Sequence, residues 1–240
     1  VINSDIDRYE KIVDGLECRI VTCGKRTDSN YRAEDITYDH FARAAFRLMI
    51  DGQDAGEITL GVPGEHNVYN ALAAVCVAGK LGLSVDEMKR GIESVKTIGG
   101  RSNLIHKGGM TIIDDCYNAN PVSMKASIDV LSGAETRKVA ILGDMFELGE
   151  DEKELHRQVG VHASEKGIDL VICIGELSKA TATGAEELSA GNQVVHFDTK
   201  ADFFTKMNEL LHKDDTILVK ASHGMEFPEI VTRLQELTLK

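Results

Sequence analysis

Three features of the sequence predict an α/β fold in two parts. From about residue 98 onward, short apolar runs alternate strictly with helical stretches, which is the pattern of a parallel, doubly covered, Rossmann-like sheet. Residues 1 to 62 read instead as strands and turns, and at residue 66 the pattern turns helical. Between the two regimes stands a glycine pair, Gly99–Gly100, suited to a hinge over Ile98 to Ser102. The predicted organisation is a strands-then-helices part over residues 1–97 and a Rossmann-like, mostly parallel sheet over 98–240.

In order along the chain, "CRIVTCG" (18–24) reads as a strand, and "ITYDHFARAAFRLMIDGQDAGEITLGVPG" as two or three antiparallel strands turning at "DGQDAG". "HNVYNALAAVCVAGKLG" (66–82) is apolar nearly all round, so it is expected as a buried helix stopping at Gly82. Ser84 and Glu87 form a capping box for a helix over 85–96. Strands follow at 111–116, 138–143, 170–174, 193–197 and 215–220, and helices at 121–132, 151–166, 177–189, 200–212 and 226–237. Asn120–Pro121 marks the first of these helix starts, with Asn as N-cap and Pro at the first helical position.

A formal net charge of -12 argues against nucleic acid as the main partner, since phosphate backbones need a basic surface. No apolar run approaches the roughly 20 residues of a membrane span, so no membrane partner is expected, and "VINSDIDRYE" does not read as a signal peptide. The five cysteines, Cys18, Cys23, Cys76, Cys116 and Cys173, form no C-x-x-C pair; Cys76 and Cys173 lie in apolar runs and read as small buried hydrophobes, and a reduced, cytoplasmic setting fits. A chain that starts at Val1 rather than Met is expected to be part of a longer one.

Three loops after strand ends carry polar residues: "DDCYNANP", "GDMFELGE" and "KASHGM". Strand ends of a parallel sheet share one edge, so these loops can converge on one ligand. No G-x-G-x-x-G follows a strand and no G-x-x-x-x-G-K-[ST] occurs, which argues against a dinucleotide and against a phosphate cradle within these 240 residues. Asp114 and Asp115 fit a metal or a ribose, or one of them a satisfied strand-end role; the pleat sends them to opposite faces. Ser222 beside His223 suggests a nucleophile pair, but neighbours on a loop rarely meet in that way, so a hydrolase is disfavoured. Asn67 and Asn70 share one face in the first turn of their helix and can either cap it or pair with the edge of adenine. Arg101, just after the glycine pair, can reach a phosphate.

Together "GEHNVYNALAA", "GRSNLI", "IIDDCYNANPVSMKASIDVL", "ILGDMFELGE" and "VKASHGM" resemble the Mur ligases, over essentially the whole chain. The resemblance implies the later part of an ATPase domain followed by a Rossmann-like third domain. It implies an ATP- and Mg2+-dependent ligase joining D-alanyl-D-alanine to UDP-N-acetylmuramoyl-tripeptide through an acyl phosphate, in a cytoplasmic monomer. The P-loop, the magnesium ligands and a modified lysine are expected upstream of Val1, so the main catalytic residues remain unassigned here and the 240 residues alone are expected to be inactive. The resemblance puts Asn67 and Asn70 near adenine, Arg101 at the phosphates or ribose, and Asp115 at the ribose. It puts Asn118, Asn120, Lys220, Ser222 and His223 toward the dipeptide or the reacting centre, although His223 stands where many members carry arginine. The rival expectations are a sibling Mur ligase, a folylpolyglutamate synthase-like ligase, or a binding module without catalysis.

Overall fold

The computed structural model describes residues 1–39, 42–97, 99–188 and 191–238. The chain divides into two units, Val1–Lys96 and Thr97–Lys240. In the first, a five-stranded sheet runs in the order β1 (Ile2–Asn3), β2 (Thr22–Gly24), β3 (Tyr31–Tyr38), β4 (Arg43–Ile50), β5 (Gln53–Pro63). The first three strands are parallel and the last two antiparallel. Asp51 and Gly52, with φ of 47° and 82°, close the β4–β5 hairpin; positive φ at both central residues matches the right-handed twist of the strands.

After the short helix α1 (Tyr9–Val13), two longer helices complete this unit: α2 (His66–Lys80) and α3 (Val85–Glu93). Alternation in β4 sends Ala44, Phe46 and Leu48 inward, where they join Ile58 and Leu60 of β5 and Val68, Leu72, Val75 and Cys76 of α2. The α3 capping box forms as expected between Ser84 and Glu87. Two expectations are corrected. Strand β2 covers only the end of the 18–24 run, because Cys18, Arg19 and Ile20 are exposed or half-buried and gain no sheet partner. Helix α2 is not buried all round: Val77 is exposed, since the sheet lies on one side only.

The second unit holds six strands in the order β10 (Gln193–Phe197), β9 (Leu170–Ile174), β8 (Lys138–Gly143), β11 (Thr216–Lys220), β7 (Met110–Asp114), β6 (Asn103–Lys107). All pair in parallel except β6, which runs antiparallel at the β7 edge. Sequence reading missed β6, because "NLIHK" is short, mixed and half-exposed, as an edge strand permits. It also ran β7 on to residue 116, whereas the ladder stops at Asp114 as the chain turns into its loop.

Five helices flank this sheet: α4 (Pro121–Ser132), α5 (Glu152–Glu165), α6 (Ser178–Glu186), α7 (Lys200–Leu210) and α8 (Pro228–Glu236). The α6 expectation reached residue 189, which lies outside the described residues, as do His40 and Phe41 of the hairpin reading and Ile98 of the glycine joint. Phe203 and Met207 of α7 and Phe227, Ile230 and Leu234 at α8 pack on Ile112, Val139, Ile141, Ile172, Ile217 and Val219.

Helices α5 and α6 meet at two glycines. A Cβ built on Gly160 would lie 1.9 Å from the Thr181 carbonyl oxygen, and one on Gly184 would lie 2.0 Å from that of Arg157. Backbone cannot yield as a side-chain tip can, so Gly160→Ala is expected to lower stability by about 2 to 3 kcal/mol or more. Exposed Gly91 in α3 meets nothing within 4 Å, so Gly91→Ala is expected to raise stability of its unit by about 0.5 to 1 kcal/mol. Urea unfolding of both variants checks the pair.

Cys18 is exposed and the other four thiols are buried and unpaired. Burial pushes Cys23 up to about 11 and raises Cys76, Cys116 and Cys173 as well. Reaction needs the thiolate. A chromogenic disulfide at mildly alkaline pH is therefore expected to modify Cys18 rapidly and the other four only after denaturation.

Candidate functional site

At the carboxyl end of β7 the backbone delivers two adjacent aspartates to different partners, as the pleat requires. Asp114 is buried: its Oδ2 accepts the Gly100 N–H at 2.8 Å, and its Oδ1 accepts the Cys116 thiol at 2.8 Å. Asp115 turns to the other side. Its Oδ1 accepts the Ser102 N–H at 2.9 Å, and its Oδ2 accepts the Ser127 hydroxyl at 2.6 Å and the Lys220 ammonium at 2.5 Å.

Lys220 ends β11, the strand beside β7, and is 2% exposed. Besides Asp115 Oδ2 it donates to the Asp115 carbonyl at 3.3 Å and the Asn118 carbonyl at 3.1 Å. An ammonium has three donors, and all three are engaged. Asp115 and Lys220, assigned separately from the sequence, are thus one ion pair, its lysine buried and its carboxylate half-buried, that holds the 115–118 loop.

Ser222 joins the third loop to the other two. Its N–H donates to the Asp144 carbonyl at 3.0 Å, its hydroxyl oxygen accepts the Phe146 N–H at 2.9 Å, and its hydroxyl faces the Ala119 carbonyl at 3.5 Å. The hydroxyl is buried and occupied, while His223 is exposed at the start of the 3-10 turn His223–Met225 and, among the described residues, makes no hydrogen bond to Ser222. The two are not a nucleophile and base. The strand order places β8, β11 and β7 side by side, so the three polar loops do converge.

The 143–150 loop is fixed from beneath by residues the sequence reading did not single out. Asp144 is buried and accepts the Ser178 N–H at 2.8 Å. His156, fully buried in α5, accepts the Met145 N–H on Nε2 at 2.8 Å; Nδ1 therefore carries the proton, and it donates to the Glu152 carbonyl at 2.7 Å. A histidine on the apolar face of a predicted helix was the available signal.

The remaining polar groups of this edge face outward. Asn120 caps α4, its Oδ1 accepting the Ser123 N–H at 2.9 Å in a full capping box. Asn118 is exposed; its Oδ1 accepts the Ala119 N–H at 2.9 Å and its amide N–H groups make no hydrogen bond among the described residues. Arg101 is exposed and lies over the Tyr117 ring, 3.9 Å from its centroid. The His223 ring sits 5.9 Å from the same ring. Residues 100 and 102 are tied through their N–H groups to Asp114 and Asp115.

In the first unit, Gly64, at φ 99°, turns the chain into α2. Asn67 donates back to the Pro63 carbonyl at 2.7 Å, and Asn70 donates to Asn67 Oδ1 at 2.9 Å. The two amides share a face, as their spacing requires. Asn67 is committed to the turn, while the carbonyl oxygen of exposed Asn70 accepts no hydrogen bond among the described residues. Lys25, ion-paired with Glu65, lies 5.3 Å from the Tyr69 ring centroid beside them.

Removing one member of a buried pair strands the other's charge. Lys220→Met is expected to cost about 3 to 5 kcal/mol, and Lys220→Met with Asp115→Asn less than the sum of the single changes. Urea denaturation of the three variants gives the coupling, and additive losses would refute the pair's role.

Residues 1–78 match the model of the Mur ligase middle domain, and residues 100–223 that of the Mur ligase glutamate ligase domain. The UDP-N-acetylmuramoyl-tripeptide--D-alanyl-D-alanine ligase of Bacillus subtilis is 35% identical over 231 residues, which is 94% of this chain and 49% of that protein. The UDP-N-acetylmuramate--L-alanine ligase of Lachnospira eligens is 40% identical, but over 132 residues, 53% of this chain and 28% of its own. A crystal structure of MurF from Acinetobacter baumannii superposes with a TM-score of 0.86 at 28% identity, over 98% of this chain and 51% of that one. The chain spans about half the length of these full-coverage relatives. Since both of its units match, the chain belongs to the Mur ligase family.

Proposed function

We propose that this chain supplies part of the nucleotide site and the acceptor side of an ATP-dependent ligase that joins D-alanyl-D-alanine to UDP-N-acetylmuramoyl-tripeptide. In this reading residues 1–97 are the later part of the ATP-binding domain and residues 98–240 the third domain. The observation that carries it is the Asp115–Lys220 pair with Ser222, which holds the "YNANP", "GDMFELG" and "KASHG" loops as one edge. The near-complete match to a relative named for that reaction supports the choice of acceptor. A sibling ligase is the second reading, favoured by the higher identity over half the chain to a protein named for adding L-alanine.

The reaction needs a phosphoryl group moved from ATP to the tripeptide carboxylate, with ADP leaving. The dipeptide amine then attacks the acyl carbon, phosphate departs with the bonding electrons, and the amine loses a proton. Such transfer depends on positioning and charge neutralisation. Asn70 offers its amide to the adenine edge, steadied by Asn67. Arg101 offers a fixed positive charge to the phosphates. Asp115 meets the ribose from within its pair with Lys220, so its role is shared with the loop's stability. Asn118 turns its free amide N–H groups to the carbonyl or carboxylate of the dipeptide. Lys220, Ser222 and Asn120 act by holding the loops that present it, and His223 stands at the rim.

Magnesium is the further cofactor the resemblance implies. Among the described residues no cluster of three His, Cys, Asp or Glu side chains suits a metal ion, so no step through it is assigned to this chain. Among them, too, no helix is long and apolar enough to cross a membrane. A cytoplasmic monomer is the proposed setting.

Calorimetry on this chain separates the two ends of the proposal. Asn70→Ala is expected to weaken ADP binding about three- to tenfold, the loss of one hydrogen bond, and to leave D-alanyl-D-alanine untouched. Asn118→Ala is expected to do the reverse. Equal effects of both changes on both ligands would sink the assignment, and tighter binding of L-alanine than of D-alanyl-D-alanine would turn it to the sibling reaction.

A further inference from the structure

We propose that Tyr117 is a positioning residue whose ring holds the Arg101 guanidinium face-on, so that its N–H edges are free to grip an oxyanion. This rests on the nucleotide reading above for the identity of that anion, a terminal phosphate of the nucleotide. The stack itself stands on geometry.

Three backbone bonds pin the segment that carries Arg101. The Gly100 N–H donates to Asp114 Oδ2 at 2.8 Å, the Tyr117 N–H donates to the Gly100 carbonyl at 2.9 Å, and the Ser102 N–H donates to Asp115 Oδ1 at 2.9 Å. Gly100 takes φ 79°, and a Cβ there would come within 3.3 Å of the Tyr117 backbone nitrogen, so the close approach needs glycine. Arg101 is thus delivered onto the Tyr117 ring, at 3.9 Å from guanidinium carbon to centroid.

An arginine in a chain of net charge -12 has acids in plenty. Asp114 and Asp115 each lie one hydrogen bond from its neighbours in sequence, yet both carboxylates are taken by other donors. Among the described residues Arg101 forms no ion pair and no hydrogen bond; its contact is with the Tyr117 ring. A guanidinium stacked on an aromatic keeps all its in-plane donors for a planar or tetrahedral anion. The His223 ring, 5.9 Å from the same tyrosine, adds a second nitrogen-bearing group at that rim. Among the described residues the Tyr117 hydroxyl makes no hydrogen bond, so the ring alone carries the role.

The test compares Tyr117→Phe, Tyr117→Leu and Arg101→Ala in this chain. Without ligand, the Arg101 Nε–H resonance is expected to be shifted upfield by the ring current in the parent and in Tyr117→Phe. It should return to the solvent-exposed arginine position in Tyr117→Leu. Identical Arg101 resonances in the parent, Tyr117→Phe and Tyr117→Leu would overturn the stack. Titration with ADP and with inorganic triphosphate then reads the anion role. Tyr117→Phe is expected to bind as the parent does, and Tyr117→Leu about three- to tenfold more weakly, the scale of a cation–π contact. If Arg101→Ala weakens binding and Tyr117→Leu does not, the positioning role fails while the nucleotide reading survives. If Arg101→Ala binds as tightly as the parent, or the parent binds neither ligand, the phosphate assignment fails, and the resonance measurement still judges the stack.

Discussion

The second unit depends on one buried ammonium and the half-buried carboxylate it is paired with. Lys220 is the last residue of β11 and Asp115 the first beyond β7, and the two strands are adjacent and parallel, with Val219 opposite Asp114. Burying either charge alone costs several kcal/mol, which their contact offsets only if the remaining donors and acceptors are also satisfied. That condition reaches outward. It recruits the Asn118 carbonyl, Ser127 of α4 and the N–H of Ser102, so one pair sets the loop after β7, the start of α4 and the segment before β6.

Around this pair the polar residues of the edge divide by burial. Asp114, Asp144, His156 and Ser222 are buried, and each spends its hydrogen bonds on backbone or on other buried groups, as the cost of an unpaired polar group demands. Asn118, Arg101, Tyr117 and His223 face outward with donors or ring surface to spare. The buried set shapes the edge, and the exposed set is what a ligand can meet. The α2 start in the first unit repeats the division on a smaller scale, with Asn67 committed to its turn and Asn70 open. Under the proposed ligase reading such stiffness serves the chemistry, because transfer loses rate steeply with misplacement.

The sequence by itself determined the alternating order of strands and helices in residues 98–240, the hairpin turn within "DGQDAG", the Asn120 cap and the convergence of three loops at one sheet edge. These follow from local rules: side-chain period, cap chemistry, positive φ at turns, and the shared direction of parallel strands. Family-specific runs such as "YNANP" and "GDMFELG" also carried the family itself. Tertiary structure decided what those rules do not reach. Edge strand β6 exists because β7 offers it an open ladder, not because "NLIHK" favours extension. Helix α2 is exposed along Val77 because only one side meets the sheet. Lys220 reads as a ligand group in "KASHGM" and is a buried partner of Asp115, 105 residues away in sequence. Which polar side chains are consumed in holding the site, and which remain for a ligand, depends on pairings between strands far apart in the chain, and no local pattern records them.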